Sequence, residues 1–278
     1  MSQSLESLHA STVLITGAGM GMGRMYAQLA VADKARHVIL WDIDAAALEE
    51  SAALLRGQGS EIHTQVVDVS TLEAIEEAAA EVRKGPGTPD ILINNAGIVR
   101  GKYFWEHDQR ADIAATMNIN ALALMHITRE FLPEMIRGKR PTRIVNVASA
   151  AGLLANPRMS IYSSSKWAVI GWSDSLRLEL ILAGHKHILV TTFCPSYIKT
   201  GMFAGARGPL LTPLMEPETV TRRVWKAMKD GQAMLMMPWT VKLSTALRGV
   251  LPLAVWDVVA GRVFGVYKSM EHFTGRKN

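Results

Sequence analysis

The sequence predicts an α/β chain in which a doubly wound, parallel sheet of seven strands is flanked by helices on both faces. Three observations carry that expectation. Short, mostly β-branched apolar runs alternate along the chain with segments of helical periodicity. The first of these runs opens straight into a glycine-rich turn, Thr16-Gly17-Ala18-Gly19-Met20-Gly21-Met22-Gly23, and a helical pattern follows it. With 278 residues, 49% of them hydrophobic and 20% charged, the chain can bury a full core, and one domain spanning residues 1 to 278 is expected.

Strands are expected at Thr12–Thr16, His37–Trp41, Ile62–Val67, Ile91–Ile93, Ile144–Val147, Ile188–Phe193 and Ala233–Met237. Between them, helices are expected near residues 22–32, 45–56, 72–83, 108–136, 160–183 and 218–229. Parallel strands need crossovers, crossovers are right-handed, and the helices they carry must cover both faces of the sheet. The chain shows no internal repeat, linker or low-complexity tract.

Composition excludes several classes. The single cysteine, Cys194, rules out an internal disulfide and a cysteine-rich metal site, so no metal is expected and a reducing cytoplasm is the natural compartment. Residues 1–11 lack a basic segment followed by a long apolar one, and no uncharged apolar run reaches about 18 residues, so neither a secretory signal nor a membrane span is expected. The net charge of +5 is uneven: residues 203–278 hold eleven Lys/Arg against five acids. No recognised nucleic-acid motif accompanies that basic tail, and no nucleic-acid partner is expected.

Glycines after the first strand let backbone turn sharply and approach a pyrophosphate, whose charge the helix N-terminus then stabilises. Asp42, 19 residues past Gly23, closes the second strand, where a carboxylate accepts hydrogen bonds from ribose hydroxyls and repels a 2′-phosphate. With apolar Ile43 next, NAD is favoured over NADP. Arg24 could reach a phosphate or stay solvated. Asp68, before Val69 at the end of the third strand, could contact an adenine amino group. Asn94-Asn95-Ala96-Gly97 suits backbone passing close to a flat ligand.

Within Ser160 to Val169, Tyr162 and Lys166 stand one helical turn apart on one face. A phenol near pKa 10 is a poor base at neutral pH, and an ammonium about 5 Å away could lower it by about two pK units. An isolated pair of this spacing is usually a surface coincidence; its meaning depends on the remaining motifs.

Those motifs resemble the short-chain dehydrogenase/reductase family over roughly residues 10 to 240, leaving about 240–278 as a C-terminal extension. The family's T-G-x-x-x-G-x-G is met by Thr16, Gly17, Gly21 and Gly23, its N-N-A-G by Asn94 to Gly97, and its Y-x-x-x-K by Tyr162 and Lys166. Ser149 lies thirteen residues before the tyrosine, at the family's catalytic serine, and Asn120 lies at its catalytic asparagine, with Asn118 as the rival. The resemblance implies a Rossmann-like fold and an NAD(P)-dependent enzyme. It implies that Tyr162 exchanges the proton, Lys166 lowers its pKa and holds the nicotinamide ribose, Ser149 polarises the reacting oxygen, and Asn120 positions a relay water. Gly19, Met20, Met22, Ile43, Asp68, Val69, Asn95, Ala96 and Gly97 would flank the cofactor, as would Pro195, Ser196, Ile198 and Thr200. The family usually has Pro-Gly where this chain has Pro195-Ser196. Serine lacks glycine's freedom at positive φ, so a slight backbone shift is expected there.

Substrate is expected at the carboxyl ends of the strands, between walls formed by Ser149, Ala150, Leu153, Leu154, Met159, Tyr162, Tyr197, Met202 and Phe203. Residues 201–214, with three glycines and two prolines, read as a mobile lid. The apolar wall points to a hydrophobic secondary alcohol and its ketone. An NADPH-dependent 3-oxoacyl reductase is the nearest alternative, which Asp42 opposes, and an epimerase would need glycine at position 20. A nucleotide-sensing protein would need no proton donor. The extension resembles that of family members acting on steroids or retinoids. Its apolar and basic residues suit a membrane surface, but packing on the subunit or a partner is the preferred expectation. The family's long fourth and fifth helices usually pack on partner subunits, which implies a homodimer or homotetramer.

Overall fold

In a computed structural model that describes residues 4, 5, 7–210 and 212–275, the sheet contains β1 (Thr12–Thr16), β2 (His37–Asp42), β3 (Glu61–Val66), β4 (Ile91–Asn94), β5 (Thr142–Val147), β6 (Ile188–Pro195) and β7 (Met234–Met237). All pairs are parallel, in the order β3-β2-β1-β4-β5-β6-β7. The chain winds outward from β1 in one direction and returns to wind outward from β4 in the other. That reversal opens a crevice at the carboxyl ends of β1 and β4, where ligands bind in folds of this kind.

Side-chain alternation along the strands builds the two cores. Val13, Ile15, Val38 and Leu40 face a layer that includes Tyr26 of α1 (Gly21–Ala32), Leu48 of α2 (Ala45–Leu55) and Val224 further along the chain. Leu14, Ile39 and Trp41 face the opposite layer, with Ile75 of α3 (Leu72–Lys84) and with Phe131 and Leu176. Asp44 starts α2 by accepting the Ala47 N–H at 3.0 Å.

The single helix expected over residues 108–136 is interrupted. A π turn at Gln109–Ala114 leads through α4 (Ala115–Met117) and a second π turn at Asn118–Leu122 into α5 (Ala123–Gly138). Two local competitors for the backbone accompany the breaks. Asp108 accepts the N–H groups of Arg110 and Ala111, and Asn120 turns its amide onto the backbone of Ile98. Helices α6 (Ser160–Leu182) and α7 (Pro217–Lys229) run as expected.

Beyond β7 the extension forms α8 (Trp239–Val250), α9 (Leu253–Val258), a π turn at Val259–Val263 and a 3-10 turn at Val266–Lys268. It packs back onto its own subunit. The lid that glycine and proline content marks as mobile is hydrogen-bonded to it: Arg207 N–H donates to Ser269 O, Leu210 N–H to Phe264 O, and Thr274 N–H to Ala204 O. Glycine and proline frequency report the turns of that segment; the contacts that hold it come from 54 to 70 residues away in sequence. Among the described residues, no helix is long and apolar enough to cross a membrane.

Candidate active site

The glycine turn is fixed by contacts that larger residues would block. Gly17 has φ +64° and lies where an added Cβ would sit 3.0 Å from Ala96 Cα. At Gly23 an added Cβ would overlap Gly17 O, so α1 can start this close to the loop only with glycine there. Thr16 Oγ1 accepts the N–H groups of both Asn95 and Ala96 at 3.0 Å, tying the β1 and β4 loops together. Asp42 Oδ2 accepts the Gly19 N–H at 2.8 Å.

These loops border a cavity of about 690 Å³, within the size range of ligand pockets. Of the residues predicted to flank a cofactor, Gly17, Met20, Gly21, Met22, Asp42, Ile43, Asp68, Val69, Asn95, Ala96, Gly97, Tyr162, Lys166, Pro195, Ser196, Ile198 and Thr200 line it. Thr16, Gly19 and Gly23 do not: they sit behind the wall and hold it. Arg24 neither reaches into the cavity nor stays solvated. Its guanidinium donates to Gly19 O at 2.6 Å and to Ser51 Oγ at 2.7 Å, and pairs with Glu50, which clamps the glycine loop onto α2. Asp68 accepts the Ser70 N–H, capping its own turn while bordering the cavity. Ser196 is outside the left-handed region, in which the described non-glycine residues are Ala10, Lys34, Lys139 and Arg158. Its N–H donates to Met237 O, so serine is held there without the strain of a left-handed backbone.

Ser149, Tyr162 and Lys166 meet on the cavity wall between β5 and α6. Ser149 Oγ accepts the Ala151 N–H and lies 3.4 Å from Pro195 O. Tyr162 shares this wall with Ser149. Lys166 Nζ donates to Val147 O at 2.8 Å and lies 5.7 Å from the Tyr162 ring centroid. The predicted lowering of the tyrosine pKa is not what this geometry gives. Burial pushes the phenol up to about 12, and the nearby Ser149 hydroxyl only partly opposes it. Burial also holds Lys166 down to about 8. Desolvation leads for both groups, because neither charged form is well solvated here. Cys194, next to the lysine, is buried, with its thiol pushed up to about 12.

Asn120 is fully buried in the second π turn. Its Oδ1 accepts the Ile98 N–H at 2.8 Å, and its Nδ2 donates to Ile98 O and Ser165 Oγ. An added Cβ at Gly97 would lie 3.2 Å from Asn120 Oδ1 and 3.7 Å from Lys166 Nζ, so the two side chains flank the same glycine. Asn118 makes no such approach to Gly97.

A second, apolar cavity of about 150 Å³ adjoins the first and shares Ser149, Ser196 and Phe203 with it. Ala150, Leu154, Met159 and Tyr197 line it as predicted, and Met202 borders the larger cavity. Leu153 does not take part. It ends a 3-10 turn, Ala150–Gly152, packed on α6, and its side chain joins Ala121, Val169 and Ile170. The extension adds Trp239, Leu243, Phe264 and Val266 to this wall, while Phe273 and Thr274 reach the larger cavity. Tyr197 Oη and Asn156 Nδ2 each bond Ser269 Oγ at 2.8 Å, which fixes the tail to this wall. Only the aromatic content of residues 239–273 hinted at these residues; their positions depend on how the tail folds back.

The family model for short chain dehydrogenases matches residues 11–209. The chain belongs to this family. Curated relatives of this short-chain dehydrogenase include mouse epidermal retinol dehydrogenase 2, 34% identical over 280 residues and covering 100% of this chain and 89% of the relative. Human estradiol 17-beta-dehydrogenase 11 is 37% identical over 247 residues, with 89% and 81% covered. A short-chain dehydrogenase/reductase from Burkholderia phymatum, solved in complex with NAD, superposes with TM-score 0.80 at 26% identity, covering 88% of this chain and 95% of that one. A metagenomic short-chain oxidoreductase solved in complex with NADP gives 0.69, also at 26% identity, covering 83% and 96%. A nicotinamide cofactor follows from this membership.

Proposed function

We propose that this short-chain dehydrogenase interconverts a hydrophobic secondary alcohol and its ketone and prefers NAD(H). The observation that carries the reading is the placement of Ser149, which borders both the glycine-loop cavity and the apolar cavity and shares the wall of the larger one with Tyr162. A substrate carbon seated beside it would have a proton-transfer group on one side and a nucleotide-sized space on the other. The backbone room at Gly17 and the carboxylate at Asp42 fit a dinucleotide.

Bound nicotinamide would supply the hydride acceptor or donor. Tyr162 Oη takes the alcohol proton during oxidation and returns it to the carbonyl oxygen during reduction. Ser149 Oγ hydrogen-bonds that same oxygen and stabilises the charge that develops on it. Lys166 lies within reach of the tyrosine, and a positive charge there favours the phenolate. Asn120, across Gly97 from Lys166, positions the route by which the proton reaches solvent.

Asp42 supports NAD over NADP because a 2′-phosphate placed beside it would meet a second anion. The apolar second cavity supports a substrate with a large hydrocarbon body, and the names of the retinol and estradiol relatives agree with that class. The test is a panel of steroid and aliphatic secondary alcohols and ketones, with retinol as a primary-alcohol arm, followed by NADH absorbance against NADPH. Turnover of small polar hydroxy acids only, or a preference for NADPH, would refute the reading.

A further inference from the structure

At the other end of the sheet from the crevice, three metal-ligating side chains converge on one face. His37 opens β2 and pairs with Glu61 of β3, while His63 lies two residues further along β3. Paired residues of parallel strands share a face, and so do residues two apart, so His37, Glu61 and His63 project together from rigid strand positions. His37 Nδ1 lies 3.1 Å from His63 Nε2 and 3.5 Å from Glu61 Oε2. The three groups bring one ligand atom each to within 4.8 Å of one another.

The two spacings at His37 Nδ1, 3.1 and 3.5 Å, are close to those a tetrahedral ion requires. Bonds of about 2.0–2.1 Å to nitrogen and oxygen place neighbouring ligand atoms about 3.3 Å apart. His37 Nδ1 thus faces both a second imidazole nitrogen and a carboxylate oxygen, which are donor types that zinc takes. The competing cation is Arg36, whose Nε is 4.0 Å from the other Glu61 oxygen, Oε1, so Oε2 is left toward the histidines.

We propose that His37, Glu61 and His63 form a binding site for one zinc ion, with solvent completing its coordination. Sequence patterning expects no metal here, because the ligands sit on two strands with 25 residues between His37 and His63 and no cysteine marks them. Five residue steps of about 3.3 Å separate His37 from Asp42 along β2, so the site is about 17 Å from the cofactor crevice. Its consequence is therefore mechanical: the ion clasps β3, the edge strand, to β2. The inference is independent of the proposed reaction.

Zinc titration of the untagged full-length protein, by calorimetry and by competition with a chromophoric chelator, tests it. One ion per chain is expected, together with a rise in melting temperature that EDTA reverses. Cobalt(II) is expected to give the intense visible bands of a tetrahedral site. His63→Ala and Glu61→Gln should each weaken binding at least about tenfold and abolish the thermal shift. His185→Ala, at a separate histidine pair, should change neither. Two ligand variants guard against misfolding of one, and the EDTA-treated melting curve checks each. NADH-linked turnover should be the same with and without zinc. Absence of saturable binding, equal binding by His63→Ala, or a cobalt spectrum of octahedral type would overturn the site.

Discussion

Asp42 Oδ2 accepts the backbone N–H of Gly19 at 2.8 Å, so the carboxylate that ends β2 is tied to the loop that precedes α1. Its other oxygen accepts the Asp44 N–H at 3.1 Å. The carboxylate is thus oriented by two backbone donors on the rim of the larger cavity rather than by chance surface packing. For cofactor choice this means the charge is fixed in place before any ribose arrives.

Replacement Asp42→Ala removes both the anion and the hydrogen-bond acceptor. The ratio of kcat/KM with NAD to that with NADP should fall by about 10–100-fold, the size of a lost charged hydrogen bond together with a relieved like-charge contact. Steady-state assays with both cofactors measure it. An unchanged ratio would remove Asp42 from the selectivity argument.

Tyr162→Phe deletes the phenol hydroxyl and leaves the ring in place against Phe203, whose centroid is 6.0 Å away in an edge arrangement. Turnover should fall by about 10²–10⁴-fold, the range for a lost general acid or base. NADH affinity, read by fluorescence titration, should change little, since the phenol is one of many groups on the cavity wall. Retained turnover would exclude Tyr162 as the proton-transfer residue.

The sheet and the glycine turn were legible because they rest on local patterns: apolar runs at strand length, and glycines where a side chain would strike Ala96 or Gly17 O. Tyr162 and Lys166 were legible as a pair one turn apart on a single helix, whereas Ser149 and Asn120 were marked only by the resemblance to the family's motifs. The supporting contacts were not. Arg24 folds back onto Gly19 O instead of facing a phosphate, and Leu153 turns toward α6, because each is decided by a partner on another element. The tail was the least legible part. Ser269 is an ordinary serine in the sequence, and only the folded chain puts it between Asn156 and Tyr197.

Ser269→Ala tests that tail contact. It leaves Tyr197 Oη and Asn156 Nδ2 without a shared partner, at a cost to stability of about 1–2 kcal/mol. Released from Ser269, the tail should hold the apolar wall less firmly, so KM for bulky substrates should rise more than kcat falls. Denaturant melts and Michaelis curves on one large and one small substrate separate the two effects. Equal KM changes for both substrates would show that the contact supports the fold and not the wall.

Lys166 gives a stability prediction with a defined pH direction. Burial lowers it from an ordinary 10.5 to about 8, a gap of about 3 kcal/mol between folded and unfolded preferences for the proton. Below pH 8 both states hold the proton and the folded state bears that whole cost. Between about 8 and 10.5 the folded protein releases the proton while the unfolded chain keeps it, so this residue's contribution to stability rises with pH. Lys166→Met removes the buried charge and loses the hydrogen bond to Val147 O, worth about 1 kcal/mol. At pH 7 the variant should therefore be no less stable than the parent while turning over far more slowly. From pH 8 to 10 the difference in their unfolding free energies should shift in the parent's favour. A variant clearly less stable at pH 7 would mean that the lysine is held by charge pairing rather than strained by burial. Its catalytic contribution would then need another source.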